Sequence, residues 1–112
     1  MAHWFLRGIR RKVATTKYPA VLDAWASALP TPPSFIPARL TVELTRRLVE
    51  SCPNGALRED GRELVLDVGA CTACGTCQRV DPRAVVQSEV FELAATSSAH
   101  LVKRIPIEGD ER

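Results

Sequence analysis

The spacing of apolar residues predicts a helix near the middle of the chain. Leu40, Leu44 and Leu48 recur at intervals of four, and the charged residues between them fall mostly on the other side of a helical turn. Thr41 directly precedes residue 42, and a threonine hydroxyl at that position can cap a helix N-terminus. The pattern therefore predicts a helix over about residues 42–51.

Turn dipeptides predict a hairpin directly after this helix. Asn54-Gly55 and Asp60-Gly61 are turn-forming pairs. The first precedes a short, largely apolar segment, and the second separates that segment from another. We predict strands at residues 56–58 and 63–68, the second of which leads into Cys71.

The N-terminal segment combines apolar residues near helical spacing with a cluster of cations. Trp4, Phe5, Ile9 and Val13 give one apolar side. Five basic residues precede the first acidic residue of the chain: Arg7, Arg10, Arg11, Lys12 and Lys17. We expect an amphipathic surface helix, which either lies on anionic lipid or an acidic partner surface or presents a solvated charged face.

The prolines, the length and the composition indicate how the remainder of the chain is organised. Pro30, Pro32, Pro33 and Pro37 predict an extended linker, poor in regular structure, over residues 28–38. With 112 residues, 46% of them hydrophobic, the chain can form one small domain. A net charge of +2 is too small to make nucleic-acid binding the default. Because we find neither a signal-peptide core nor an apolar run of about 18 residues, we expect a cytoplasmic location.

Four cysteines indicate the chemistry. Cys71, Cys74 and Cys77 form a C-x2-C-x2-C run, and Cys52-Pro53 lies upstream. In two-cluster bacterial ferredoxins such a run supplies three thiolates to a 4Fe-4S cluster, and the fourth comes from a Cys-Pro pair in the other half of the chain. We therefore predict one 4Fe-4S cluster held by Cys52, Cys71, Cys74 and Cys77. Gly75 would let backbone N–H groups approach that anionic core.

The positions for a second cluster carry no thiolates. In the ferredoxin motif a fourth cysteine, followed by proline, comes four residues after the third. This chain has Asp81 at that position, and proline follows it. The same spacing counted back from Cys52 reaches three more positions without cysteine: Val42, Thr45 and Leu48. We interpret the chain as a two-cluster fold reduced to one cluster, with apolar side chains filling the second site and Asp81 capping a helix or lying in solvent.

Other interpretations of the cysteines fit less well. A structural zinc site usually draws on two separated cysteine or cysteine–histidine pairs, whereas three cysteines here share one short run. Disulfides are disfavoured because the cysteines of the run are too close together to pair usefully. Free buried thiols would not explain the spacing.

The two halves of the chain also form a weak internal repeat. Cys52-Pro-Asn-Gly-Ala-Leu and Asp81-Pro-Arg-Ala-Val-Val each read as a turn followed by a small apolar strand. This repeat matches the pseudo-twofold arrangement of a bacterial ferredoxin-like fold, and we therefore expect an α+β domain of that kind.

Nearly the whole chain resembles one family. Residues 7–19 (RGIRRKVATTKYP), the proline-rich stretch, the cysteine motif and residues 90–94 (VFELA) look like the ferredoxin-like iron–sulfur subunit of energy-converting membrane-bound NiFe hydrogenases. Formate hydrogenlyase and complex I carry related subunits. The resemblance implies electron transfer between an outer donor and the subunit nearest the catalytic metal, with the N-terminal arm against the membrane arm. Members normally carry two clusters, and this chain keeps ligands for one.

These observations divide the chain into three parts. We expect a basic arm and proline-rich linker at 1–33, a single-cluster domain at 34–90 and an extended tail at 91–112. The resemblance implies an electron-transfer subunit without catalysis of its own, bound peripherally to the inner face of the cell membrane. The alternatives are a free-standing soluble one-cluster ferredoxin and a structural or regulatory iron–sulfur protein.

Overall fold

The protein contains helices and strands in an α+β arrangement. The computed structural model describes residues 2–12, 17–21, 28–90 and 93–111. Its α-helices are α1 (His3–Arg11), α2 (Val42–Ser51) and α3 (Thr76–Val80). Its strands are β1 (Pro33–Phe35), β2 (Leu57–Asp60), β3 (Glu63–Asp67), β4 (Val85–Gln87) and β5 (Val102–Pro106). Residues 13–16, 22–27 and 91–92, which belong to the segments predicted from the sequence, lie outside the described residues.

The strands form two small antiparallel sheets. One sheet pairs β1 with β4, and the other has the order β2-β3-β5. The chain therefore runs strand–helix–strand twice, as β1-α2-β2 and then β3-α3-β4. Each half pairs its strands with those of the other half, since β1 pairs with β4 and β2 with β3.

Helix α2 follows the predicted bounds of residues 42–51. The Leu44 backbone N–H donates to Thr41 Oγ1 at 3.1 Å, so the threonine caps the helix as expected. Leu44 and Leu48 lie buried on its inner face. The hairpin is also confirmed, with β2 and β3 displaced by one or two residues at their ends from the predicted 56–58 and 63–68.

The C-terminal segment is part of the second sheet. The expectation of an extended tail is wrong for residues 102–106, because β5 pairs with β3 from Glu63 opposite Pro106 to Asp67 opposite Val102. The middle residues of β3 are fully buried, and such a strand needs backbone partners along both edges. Arg104 Nη1 adds ion pairs to Asp60 and Glu63 at 2.9 and 2.8 Å.

The proline-rich segment is more regular than expected. Residues 33–35 form β1, and Pro37–Arg39 form a 3-10 helix, so the prediction that 28–38 lacks regular structure is wrong there. The Ile36 N–H donates to the Ala84 carbonyl at 2.9 Å, which continues the contact with the second half of the chain. Burial of Phe35 gives this short strand a place in the core.

The core lies between α2 and the two sheets. Its largest fully buried side chains come from α2 and its approach, from β3 and from β4: Leu40, Leu48, Leu64, Leu66, Val65, Val85 and Thr45. Ile107, which directly follows β5, is also buried in this cluster. The C-terminal strand therefore contributes to the hydrophobic core as well as to the sheet.

A turn near the C-terminus closes over the start of α2. The Val42 N–H donates to Asp110 Oδ2 at 2.8 Å, and the Gly109 N–H donates to the Leu40 carbonyl at 2.8 Å. The aspartate adds a negative group at a helix N-terminus, where backbone N–H groups are unpaired. A Cβ on Gly109 would lie 2.4 Å from the Leu40 oxygen, so the position accepts only glycine without movement.

Helix α1 is amphipathic, as predicted, and has no buried residue. Trp4 is 76% exposed, and its ring contacts Phe5 edge to face at a centroid distance of 6.0 Å. Phe5, Leu6 and Ile9 are also exposed. Within the described part of the chain, no helix is both long and apolar enough to cross a membrane.

We predict that Gly109→Ala destabilises the protein by about 1–3 kcal/mol, because the new methyl group must displace the Leu40 carbonyl. Urea unfolding followed by circular dichroism measures the effect. Gly8→Ala is the matched control, since a Cβ there meets no heavy atom within 4 Å and alanine favours the helix. An unchanged midpoint for Gly109→Ala would contradict the tight contact with Leu40.

Candidate functional site

All four cysteines line one cavity of about 130 Å³. Cys52 comes from the end of α2, Cys71 and Cys74 from the loop after β3, and Cys77 from α3. All four are free thiols, of which Cys74 is exposed and the others are half-buried. The structure thus brings together every residue that the sequence nominated as a ligand, from both halves of the chain.

Cys52 is held at the point where α2 ends. Its backbone is extended, because the proline that follows disfavours a helical conformation at this residue. The chain then turns, and the Ala56 N–H donates to Cys52 Sγ at 3.3 Å. This contact fixes the sulfur relative to the start of β2.

The loop of residues 71–75 bends through two left-handed conformations. Ala73 has a φ of 54° and Gly75 a φ of 76°. The first bend lets the Ala73 N–H donate to Cys71 Sγ at 3.4 Å. A Cβ on Gly75 would meet no heavy atom of the protein within 4 Å, so its backbone conformation accounts for the glycine.

The thiols differ in acidity. Hydrogen bonding to the Thr76 hydroxyl, whose Oγ1 lies 3.3 Å from Cys74 Sγ, is the main cause that lowers the pKa of Cys74. Burial raises the pKa of Cys77, and the negative charges of the Cys71 and Cys74 thiolates raise it further. The exposed thiol is therefore the more readily ionised of the two.

The four cysteines are the residues that could hold a soft metal or a cluster. Four thiolates around one cavity are a donor set that suits zinc or an iron–sulfur cluster. Among the described residues, no group of three or more His, Cys, Asp or Glu side chains is placed so that it could hold a metal ion as it stands. The thiols are instead spread around the cavity wall.

The positions expected for a second cluster are occupied by structural residues. Val42, Thr45 and Leu48 lie on the continuous helix α2, and the last two are fully buried. Among the described atoms, buried Thr45 Oγ1 has no hydrogen-bond partner. The two halves thus differ, because α2 begins six residues before Leu48 whereas α3 begins one residue before Cys77.

Asp81 has a structural role at the protein surface, but its carboxylate caps a turn and not a helix. Its Oδ1 accepts the N–H groups of Arg83 at 2.8 Å and Ala84 at 3.1 Å, in the turn before β4. These two backbone hydrogen bonds are the main reason that the pKa of Asp81 is lowered. The carboxylate stabilises a turn at the end of α3.

Several residues at the cavity were not identified from the sequence. Thr76 contacts Cys74, and Thr72 Oγ1 accepts from Asn54 Nδ2 at 2.8 Å. Pro30 and Gln87 also line the cavity, from the proline-rich segment and β4. A threonine two residues on either side of a cysteine was the available signal for Thr72 and Thr76, whereas the other contacts depend on tertiary structure.

No protein-family model matches this sequence, and no curated protein is significantly similar to it.

We predict that iodoacetamide alkylates Cys74 before Cys77 in the metal-free protein. Cys74 is exposed and its pKa is lowered, whereas the pKa of Cys77 is raised, and the thiolate is the reactive form. The rate for Cys74 should therefore rise at a lower pH than the rate for Cys77. Peptide mass spectrometry after short pulses across a pH series measures both rates, and equal or reversed profiles would contradict the prediction.

Proposed function

We propose that this chain holds one 4Fe-4S cluster through Cys52, Cys71, Cys74 and Cys77 and transfers single electrons. The observation that carries the proposal is that all four thiols line one cavity, although one of them lies outside the C-x2-C-x2-C run. A cluster with three ligands from such a run and a fourth from a Cys-Pro pair of the other half is the ferredoxin pattern.

The topology supports a ferredoxin-like, pseudo-twofold fold. Two strand–helix–strand units exchange their strand partners, since β1 pairs with β4 and β2 with β3. In such an arrangement the end of the first helix faces the loop before the second, which suits a site shared between the halves. The helical segment at residues 42–51 supports a single cluster, because it has no thiolates and packs into the core.

The protein would control the site through its sulfurs and their surroundings. When bound, a 4Fe-4S cluster supplies a one-electron couple within a known range of about −700 to +450 mV. Cys52 Sγ and Cys71 Sγ each accept a backbone N–H, and such bonds stabilise additional negative charge at the sulfur. Of the four cysteines at the cavity, only Cys74 is exposed, so we expect a partner that exchanges electrons with the cluster to dock on the Cys74 side.

We further propose that the chain is a subunit of a membrane-associated hydrogenase or complex I-like oxidoreductase, at the inner face of the cell membrane. Helix α1 supports this proposal, because it presents exposed Trp4, Phe5 and Ile9 beside Arg10 and Arg11, and it buries none of them. Such a helix gains free energy by meeting an anionic lipid or an acidic partner surface. A free-standing soluble ferredoxin needs no such helix.

We predict that the protein purified without oxygen contains about four irons and four sulfides per chain. Reduction with dithionite should give one paramagnetic signal, and reoxidation should restore the original absorption spectrum. Iron and sulfide analysis with electron paramagnetic resonance makes the measurement. About eight irons, or one zinc per chain, would overturn the one-cluster proposal. A cluster that resists reduction would favour the structural or regulatory alternative.

Variants of the cavity test the ligand set in the same experiment. Cys52→Ser should lower iron content about as much as Cys74→Ser, since each removes one thiolate. Asn54→Ala is the control, because Asn54 lines the cavity and contacts Thr72 without supplying a sulfur. Full iron content in Cys52→Ser would show that the two halves do not share the site.

We predict that removal of residues 1–19 leaves iron content unchanged and abolishes association with the membrane complex. The described part of this segment contributes no side chain to the core cluster, so folding and docking should separate. Co-purification with the membrane fraction after a salt wash makes the measurement. Full-length Arg10→Glu/Arg11→Glu tests the charge contribution alone and should weaken binding. Equal retention of the truncated chain would favour the soluble ferredoxin instead.

A further inference from the structure

A chain of polar contacts reaches the most exposed cysteine of the site. Thr76 Oγ1 lies 3.3 Å from Cys74 Sγ, and Arg79 Nη2 donates to the same oxygen at 3.3 Å. Thr76 and Arg79 are one turn apart on α3, so their side chains share a face of the helix. The left-handed Gly75 begins this helix and turns Thr76 back toward Cys74.

The chemistry of the three groups gives the contacts a direction. An arginine side chain only donates hydrogen bonds, so the threonine oxygen must be its acceptor. The single hydroxyl proton of Thr76 then remains available for the sulfur, and a ligating thiolate can only accept. Arg79 therefore polarises the hydroxyl, and the hydroxyl donates to Cys74 Sγ.

We propose that Arg79 and Thr76 act as positioning residues that raise the reduction potential of the cluster through Cys74. This inference rests on the proposed function. A hydrogen bond to a ligating sulfur stabilises negative charge there, and reduction adds one negative charge. The electron comes from an external reductant such as dithionite, the hydroxyl proton stays on Thr76, and no bond to sulfur forms or breaks.

A second hydroxyl supports the assignment of Cys74 as the tuned ligand. Thr72 also contributes to the lowered pKa of Cys74, and its oxygen accepts from Asn54 Nδ2 at 2.8 Å. Each of the two hydroxyl oxygens therefore accepts a hydrogen bond from a side-chain nitrogen. The arginine carries a full positive charge whereas the asparagine is neutral, so the Thr76 branch should have the larger effect.

Substitution of Thr76 separates the hydroxyl from the shape of the side chain. Thr76→Val removes the donor and keeps the volume, whereas Thr76→Ser keeps the donor. At the wild-type midpoint potential we expect Thr76→Val to lower the ratio of reduced to oxidised clusters about tenfold, a shift of 59 mV for one electron. Thr76→Ser should stay near wild type, and Arg79→Met should shift the ratio in the same direction by less.

The measurements are an anaerobic redox titration followed by paramagnetic resonance, with iron content determined on each sample. Resonance Raman spectra in H2O and D2O give a second readout, because loss of the hydroxyl should reduce the deuterium shift of an iron–sulfur band. An unchanged midpoint in Thr76→Val, or an equal shift in Thr76→Ser, would overturn the inference. If Thr76→Val loses its iron, the midpoint potential of Arg79→Met becomes the test, because this variant keeps the hydroxyl. An unchanged midpoint in Arg79→Met would then overturn the inference.

Failure of the inference can be distinguished from failure of the proposed function. A wild-type protein that binds no cluster overturns both proposals. A wild-type protein with four irons whose variants all titrate at the same potential overturns the Arg79–Thr76 assignment alone. Four irons together with the expected order of potentials supports both.

Discussion

The antiparallel pairing of β2 with β3 is the constraint on which the site depends. Cys52 lies five residues before the first residue of β2, and Cys71 lies four residues after the last residue of β3. Because a hairpin joins the far ends of these strands, both cysteines are brought to the same end of the sheet. The Asp67 N–H donates to the Ala56 carbonyl at 2.8 Å and extends this contact toward the cysteines. A slip in register would separate the thiols that the cavity now shares.

The second half differs from the first where the cysteines are concentrated. Residues 71–75 need left-handed conformations at Ala73 and Gly75, which a helix does not allow. The corresponding residues 42–46 have no such requirement, and they form the first turns of α2. Leu44 and Thr45 of this segment are buried in the core, whereas Glu43 and Arg46 are exposed. The two corresponding segments therefore differ, because residues 71–75 carry cysteines of the shared cavity whereas residues 42–46 place side chains in the core.

Features that depend on nearby residues could be predicted from the sequence, and those that depend on distant ones could not. The cap of α2 by Thr41 and the turn at Asp60-Gly61 are local, and both occur as expected. Strand β5 pairs with residues about forty positions earlier, and β1 pairs with a strand about fifty positions later. No local pattern identifies such partners. The four cysteines could be nominated from the sequence because the proposed ligands have a fixed spacing, whereas the contact of Thr76 with Cys74 depends on the turn at Gly75.

The closure of residues 107–110 over α2 has a consequence for synthesis. The N-terminus of α2 receives Asp110, the Leu40 carbonyl receives the Gly109 N–H, and Ile107 completes the core. These residues leave the ribosome after both halves that carry the cysteines. A nascent chain that has not yet reached this segment therefore lacks these contacts, and its hydrophobic core is completed only after residues 102–110 have been translated.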